Sequence, residues 1–149
     1  MKKTTLHALL VAALGLCASA TAVADSEPKR FCSDSLVRGT YAIQMQGTRP
    51  AFPGGPVETV IGVLVRLYDG EGRVTQVDNI KGSITGWFPD RFGAGTYHVN
   101  DDCSVVIDFE PVPGLLVQER AVIIDNGREL RSIVSFPESF MITAVHQRI

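Results

Sequence analysis

The side chains able to do chemistry in this chain are few and far apart. Asp78 and Asn79 sit in the middle of "RVTQVDNIKGS", an otherwise strand-like stretch. Neighbours in a strand point to opposite faces, so one of the two must face inward. An inward carboxylate can orient a ligand or move a proton. Arg66 and Tyr68 share one face with Glu58, Val60, Gly62 and Leu64. Arg131 lies between Leu130 and Ser132, and Glu119 and Arg120 alternate on another stretch. An inward arginine either pairs with Asp or Glu or binds a carboxylate or carbonyl. Tyr41 and Tyr97 bring rings suited to packing and hydroxyls that can meet a ligand. His98 and His146 are candidate proton carriers near neutral pH.

No nucleophile elbow, phosphate loop, His-Glu-x-x-His or Cys-x-x-Cys is present, so no motif names a reaction. Cys32 and Cys103, far apart and joined only by His98 and His146, make a poor zinc set. Neither a metal nor a cofactor is expected.

The elements that must position these residues alternate with a period of two. Strands are expected at about 37–46, 57–68, 73–85, 96–100, 103–109, 115–124, 128–136 and 140–148. Asp69-Gly70-Glu71-Gly72 is a hairpin signal, because its glycines accept the positive φ of a tight turn. Two Pro- and Gly-rich stretches, 47–56 and 86–95, read as loops. They carry Phe52, Trp87, Phe88 and Phe92, which there form a lid over a barrel mouth, a contact patch for a partner, or plugs folded inward. Eight strands in adjacent hairpins close an antiparallel barrel just wide enough for side chains or one small ligand. A β-sandwich is the alternative, since the same hairpins can split into two sheets.

The tripeptide Gly-Thr-Tyr occurs at 39–41 and at 95–97. Each copy reads as a strand opening, where glycine permits a tight entry and Thr and Tyr suit a half-buried pleat.

The 149 residues allow one domain. Lys2 and Lys3, the apolar run 6–17 and Ala22-Val23-Ala24 fit a signal peptide over 1–24, cut after Ala24. The mature domain is then 25–149, periplasmic or secreted, with no stable membrane anchor. Without Lys2 and Lys3, the 14 Lys and Arg fall to 12 against 16 acidic residues, a net charge of −4. That balance, with no basic cluster, excludes a nucleic-acid footprint. In an exported chain the two remaining cysteines, Cys32 and Cys103, are expected to pair. Free thiols or half of a metal site are the alternatives.

The series Cys32, "GTYAIQMQG", "GVLVRLYDGEGRV", "GTYHVNDDCSVVIDF" and "GRELRSIVSF" resembles a group of small secreted bacterial proteins. That group typically reads Cys, GTY, FDG-x-G, GTY-x-V and DC in order; here Tyr68 stands in place of the Phe. The group is similar to barrels of the allene oxide cyclase and dirigent type, relatives of the lipocalin-like calycins. No catalytic residue of those enzymes has a matching position here. Such barrels often pair, so a homo-oligomer is an expectation the resemblance adds.

Together these readings favour an exported barrel that binds a small, largely apolar molecule. Tyr41, Arg66, Tyr68, Asp78, Tyr97 and Arg131 are its candidate lumen residues. A cyclase or isomerase using the same lumen is the first alternative. An envelope protein that binds a partner through its aromatic loops is the second. Binding alone calls for a hollow lumen with paired polar groups. Catalysis calls for an acid or base with a free face and a strongly perturbed pKa. Assembly calls for a filled lumen and an exposed aromatic patch.

Overall fold

Strands whose alternate residues are apolar need a common interior, and here the sheet curls until its two edges meet. The computed structural model describes residues 32–149; the expected signal peptide and its cleavage site lie outside the described residues. A short 3-10 turn (Asp34–Val37) precedes eight strands: β1 (Gly39–Pro50), β2 (Val57–Tyr68), β3 (Arg73–Gly82), β4 (Gly86–Val99), β5 (Ser104–Val112), β6 (Leu115–Ile124), β7 (Glu129–Phe136) and β8 (Met141–Arg148). Each strand pairs antiparallel with the next, and β8 returns to β1, closing the barrel. The β1–β8 ladder, from Tyr41 opposite Arg148 to Thr48 opposite Met141, removes the open edges a sandwich would keep.

The β2–β3 hairpin follows its residues. Gly70 and Gly72 take φ of 84° and 92°, while Asp69 Oδ1 accepts from the backbone N–H groups of Glu71 and Arg73. Two expected loops are corrected. The ladder of β1 runs on through Gly47, Thr48 and Arg49 to Pro50, opposite Val57, so only 51–56 forms the turn. The stretch 86–95 is not a loop but most of β4. Its Pro89 and Asp90 stand opposite the single residue Asn79, a bulge with Asp90 at φ 48°. Pro89 lacks an N–H, and a bulge is where a ladder tolerates that.

The bulge also re-aims side chains. Phe88 and Arg91 are three apart and would face opposite sides of a regular strand. The extra residue puts both on the inner side, paired with Ile80 and Asp78.

One end of the barrel is sealed. Tyr41, Tyr68 and Tyr97 meet edge to face, with centroids 5.3 and 5.0 Å apart. The Tyr41 hydroxyl donates to the Gly127 carbonyl, and the Tyr97 hydroxyl donates to the Asp34 carbonyl and accepts from Gly70 N–H. The repeated tripeptide thus supplies two of the three plugging rings. Gly95, however, lies inside β4 rather than at a strand start; a Cβ there would overlap the Asp108 carbonyl across the ladder. Cys32 and Cys103 form a disulfide, with Cα atoms 5.1 Å apart, that ties the lead-in to the turn before β5. Closing a loop of 71 residues restricts the unfolded chain by about 4 kcal/mol in the entropy model.

Candidate functional site

Above the tyrosine plug the barrel carries a buried polar layer. Arg66 points inward from β2, and all five of its N–H donors are engaged. Nε and Nη2 reach Gln76 Oε1 at 2.9 and 2.6 Å; Nη2 and Nη1 reach the two Glu119 oxygens at 2.9 and 3.2 Å; Nη1 also reaches the Tyr68 hydroxyl at 3.3 Å. Its guanidinium lies 4.8 Å from the centroid of the Phe109 ring. Gln76 in turn donates to Asp78 Oδ2 at 3.1 Å, and Arg91 Nε donates to Asp78 Oδ1 at 2.8 Å.

His146, fully buried on β8, extends this network. Its Nδ1 lies 3.3 Å from the Tyr68 hydroxyl and its Nε2 lies 3.0 Å from Ser132 Oγ. One sense of donation suits these contacts. Arg66 donates to Tyr68, and Tyr68 donates to Nδ1. The Nε2–H then donates to Ser132, and Glu119, 3.7 Å from Nε2, accepts from Arg66. That scheme requires a neutral imidazole protonated on Nε2. Burial first, and then the Arg66 cation, push the His146 pKa down to about 4, although Glu119 pulls it up. Burial pushes the Tyr68 phenol up to about 12, against the pull of Arg66. Burial is the largest influence on Glu119 and raises it, but the charge and hydrogen bonds of Arg66, with smaller help from His146 and Ser132, together hold the carboxyl below its ordinary value. Among the described residues no buried side-chain nitrogen or oxygen is left without a partner.

Beyond this layer the lumen opens toward the other end. The cavity has room for water-sized molecules over about 50 Å³, within about 590 Å³ of gaps that include open solvent. Ile43, Leu64, Ile80, Phe109, Val117 and Phe140 are among its walls, while Arg66, Gln76 and Glu119 form the floor. A cavity this small suits only a slim chain or flat ring. Two ion pairs stand in its wall, one next to the floor and one farther out. Arg91 pairs with Asp78 at 2.8 Å, and Arg49 pairs with Glu58 at 3.0 Å. Glu58 also accepts from Thr85 N–H and Oγ1 and from Ile84 N–H. Burial opposes ionisation there, yet these hydrogen bonds and Arg49 together hold its pKa at about 2.

The expected lumen residues divide. Arg66, Tyr68 and Asp78 meet in the polar layer. Tyr41 and Tyr97 face inward too, but in the plug. Arg131 is a correction: Leu130 and Ser132 take the inner face of β7, so Arg131 points outward and pairs with Glu129 at 2.7 Å. The lid is a correction as well, because three of its four aromatics lie on β4. Trp87 and Phe92 are exposed, and Phe88 sits half-buried, 5.6 Å from the Arg91 guanidinium. Phe52 is exposed in the β1–β2 turn. His98 is exposed beside Asp34. Sequence reading left out Gln76, Ser132, Arg49 and Arg91. Gln76 shares the inner parity of Asp78, and Ser132 that of Leu130. Arg49 and Arg91 were hidden in stretches read as loops.

No family model matches the chain, and no curated protein does. A solved structure, that of Rv2717c from M. tuberculosis, superposes with a TM-score of 0.38 at 15% identity, covering 77% of this chain and 94% of its own. At that distance the barrel rests on the chain's own strand pairing.

Proposed function

We propose that this protein is an exported barrel whose lumen binds a small, slim, largely apolar molecule. The observation that carries the reading is the pairing of an apolar-walled, open void with a floor whose polar groups satisfy one another. Such a floor asks nothing of a ligand, so affinity comes from apolar contact with the walls. The disulfide supports export, since such bonds persist outside the reducing cytoplasm.

A cyclase or isomerase, which the likeness to allene oxide cyclase-type barrels brings to mind, is less well supported. His146 has the perturbed pKa of a catalytic group, but both of its nitrogens are engaged and it has no exposed face. Association of copies is a second reading with its own support. The outer face of β2 presents Ile61, Val63, Val65 and Leu67 in a row, all exposed. Its cross-strand neighbours include Ala42, Gln44, Thr75 and Val77, while Lys81 stands opposite Ile61 at one end of the row. A second copy that meets the row at Val63, Val65 and Leu67 buries mostly apolar surface, and sedimentation of Val65→Lys against the wild type tests it.

The lumen reading is tested with octanol. Calorimetric titration is expected to show saturable binding that is lost in Ala144→Phe, whose ring would occupy the void. Equal binding to both proteins would refute the reading.

A further inference from the structure

Among the three arginines that line the void, the donors of only one are all used. Arg66 spends its five N–H groups within the floor. Arg49 and Arg91 each spend Nε alone, on Glu58 and on Asp78. Among the described residues neither Nη1 nor Nη2 of either side chain makes a hydrogen bond to a protein acceptor. Both side chains are nonetheless largely withdrawn from solvent, at 14% and 17% exposure. A guanidinium offers two edges, and a carboxylate held at Nε leaves the Nη1–Nη2 edge free for a bidentate oxyanion. The ion pairs hold both forks in place, and Arg91 is steadied further by Phe88.

We infer that the mouth of the lumen is an anion site, and that the ligand is a slim anionic amphiphile with its head on Arg49 and Arg91. Its apolar tail lies against Leu64, Ile80 and Phe109, above the closed floor. The head is a carboxylate, sulfate or phosphate; the tail is a short straight chain or a single ring, as the small volume of the cavity requires. This inference rests on the lumen reading above and adds the chemistry of the ligand. The orientation follows from donor accounting. An anion placed at the floor would have to displace Glu119 or Gln76 from Arg66, whereas at the mouth it displaces only water.

The test compares octanoate, octyl sulfate, octanol and octylammonium by calorimetric titration of the purified protein. The tails are alike, so differences report the head. Without a cationic partner the hydrated carboxylate binds an apolar site more weakly than the alcohol. The expected result is octanoate and octyl sulfate at least about tenfold tighter than octanol, one paired charge-assisted contact being worth that much. Octylammonium is the weakest. In Arg49→Gln and Arg91→Gln the octanoate-to-octanol ratio falls by about three- to tenfold each, with folding followed by circular dichroism. Should either unfold, Arg49→Lys and Arg91→Lys keep the ion pairs, lose the forks, and lower the same ratio. Octanol binding as tightly as octanoate would overturn the head-group assignment and leave the lumen reading standing. An anion preference unchanged in every arginine variant, or retained in Ala144→Phe, would place the anion elsewhere and overturn the site. Failure of all four probes would refute the lumen reading and this inference with it.

Discussion

The two ends of the barrel are built on opposite plans. At the sealed end three tyrosine rings pack edge to face, their hydroxyls are tied to backbone or to the polar layer, and the disulfide pins the lead-in beside them. At the open end the wall is apolar, the interior is unfilled, and two arginines keep their forks unspent. The polar layer around Arg66 divides the two. A molecule concerned only with stability would fill both halves, because a void forfeits dispersion contacts. On the function proposed above, the contrast gives stability to the sealed half and binding to the open one.

The sharpest way to break that division is to open the layer itself. Arg66→Ala leaves Glu119 buried without its cation and is expected to cost about 3–5 kcal/mol in urea unfolding. The double variant Arg66→Met with Glu119→Leu should recover much of that loss, since packed apolar side chains can replace a buried pair. Reducing the Cys32–Cys103 bond comes next, with an expected loss of about 4 kcal/mol in the same assay. A loss near zero would detach the lead-in from the stability of the sealed end.

Acid acts on the dividing layer with a defined sign. The unfolded chain protonates histidine near 6.5, but folded His146 resists until about 4. Between those values the unfolded state binds more protons, so stability falls as the pH drops, by about 3 kcal/mol in all. His146→Gln should flatten the unfolding free energy across that window. Glu58 adds a further decline from its unfolded value of 4.5 down to about 2, because only its ionised form holds Arg49 and the Thr85 contacts. The smallest effects contrast the halves directly. Gly95→Ala adds one carbon against the Asp108 carbonyl and is expected to cost about 1–3 kcal/mol. Ala144→Phe adds a ring where there is room, and its unfolding free energy should change by less than about 1 kcal/mol.

Much of the architecture was legible because alternation is a local signal. The inner face of β2, from Glu58 to Tyr68, could be read directly from its residues, as could the hairpin at Asp69–Gly72. The same parity already argued that Arg131 points away from the lumen, since Leu130 and Ser132 flank it. What stayed hidden depends on non-local geometry. Pro89 made β4 look like a loop, and only the bulge opposite Asn79 shows how the ladder absorbs it. Arg66 and Glu119 are 53 residues apart, and no local pattern selects that pairing over other carboxylates. The free forks of Arg49 and Arg91 emerge only once each hydrogen bond is counted.

The central claim is that the open half exists to hold a molecule, and native mass spectrometry of the natively purified protein tests it most directly. The account predicts a stoichiometric adduct, released on denaturation and recovered by organic extraction as a slim amphiphile. A clean mass equal to the bare chain, unshifted by added octanol or octanoate, would contradict it.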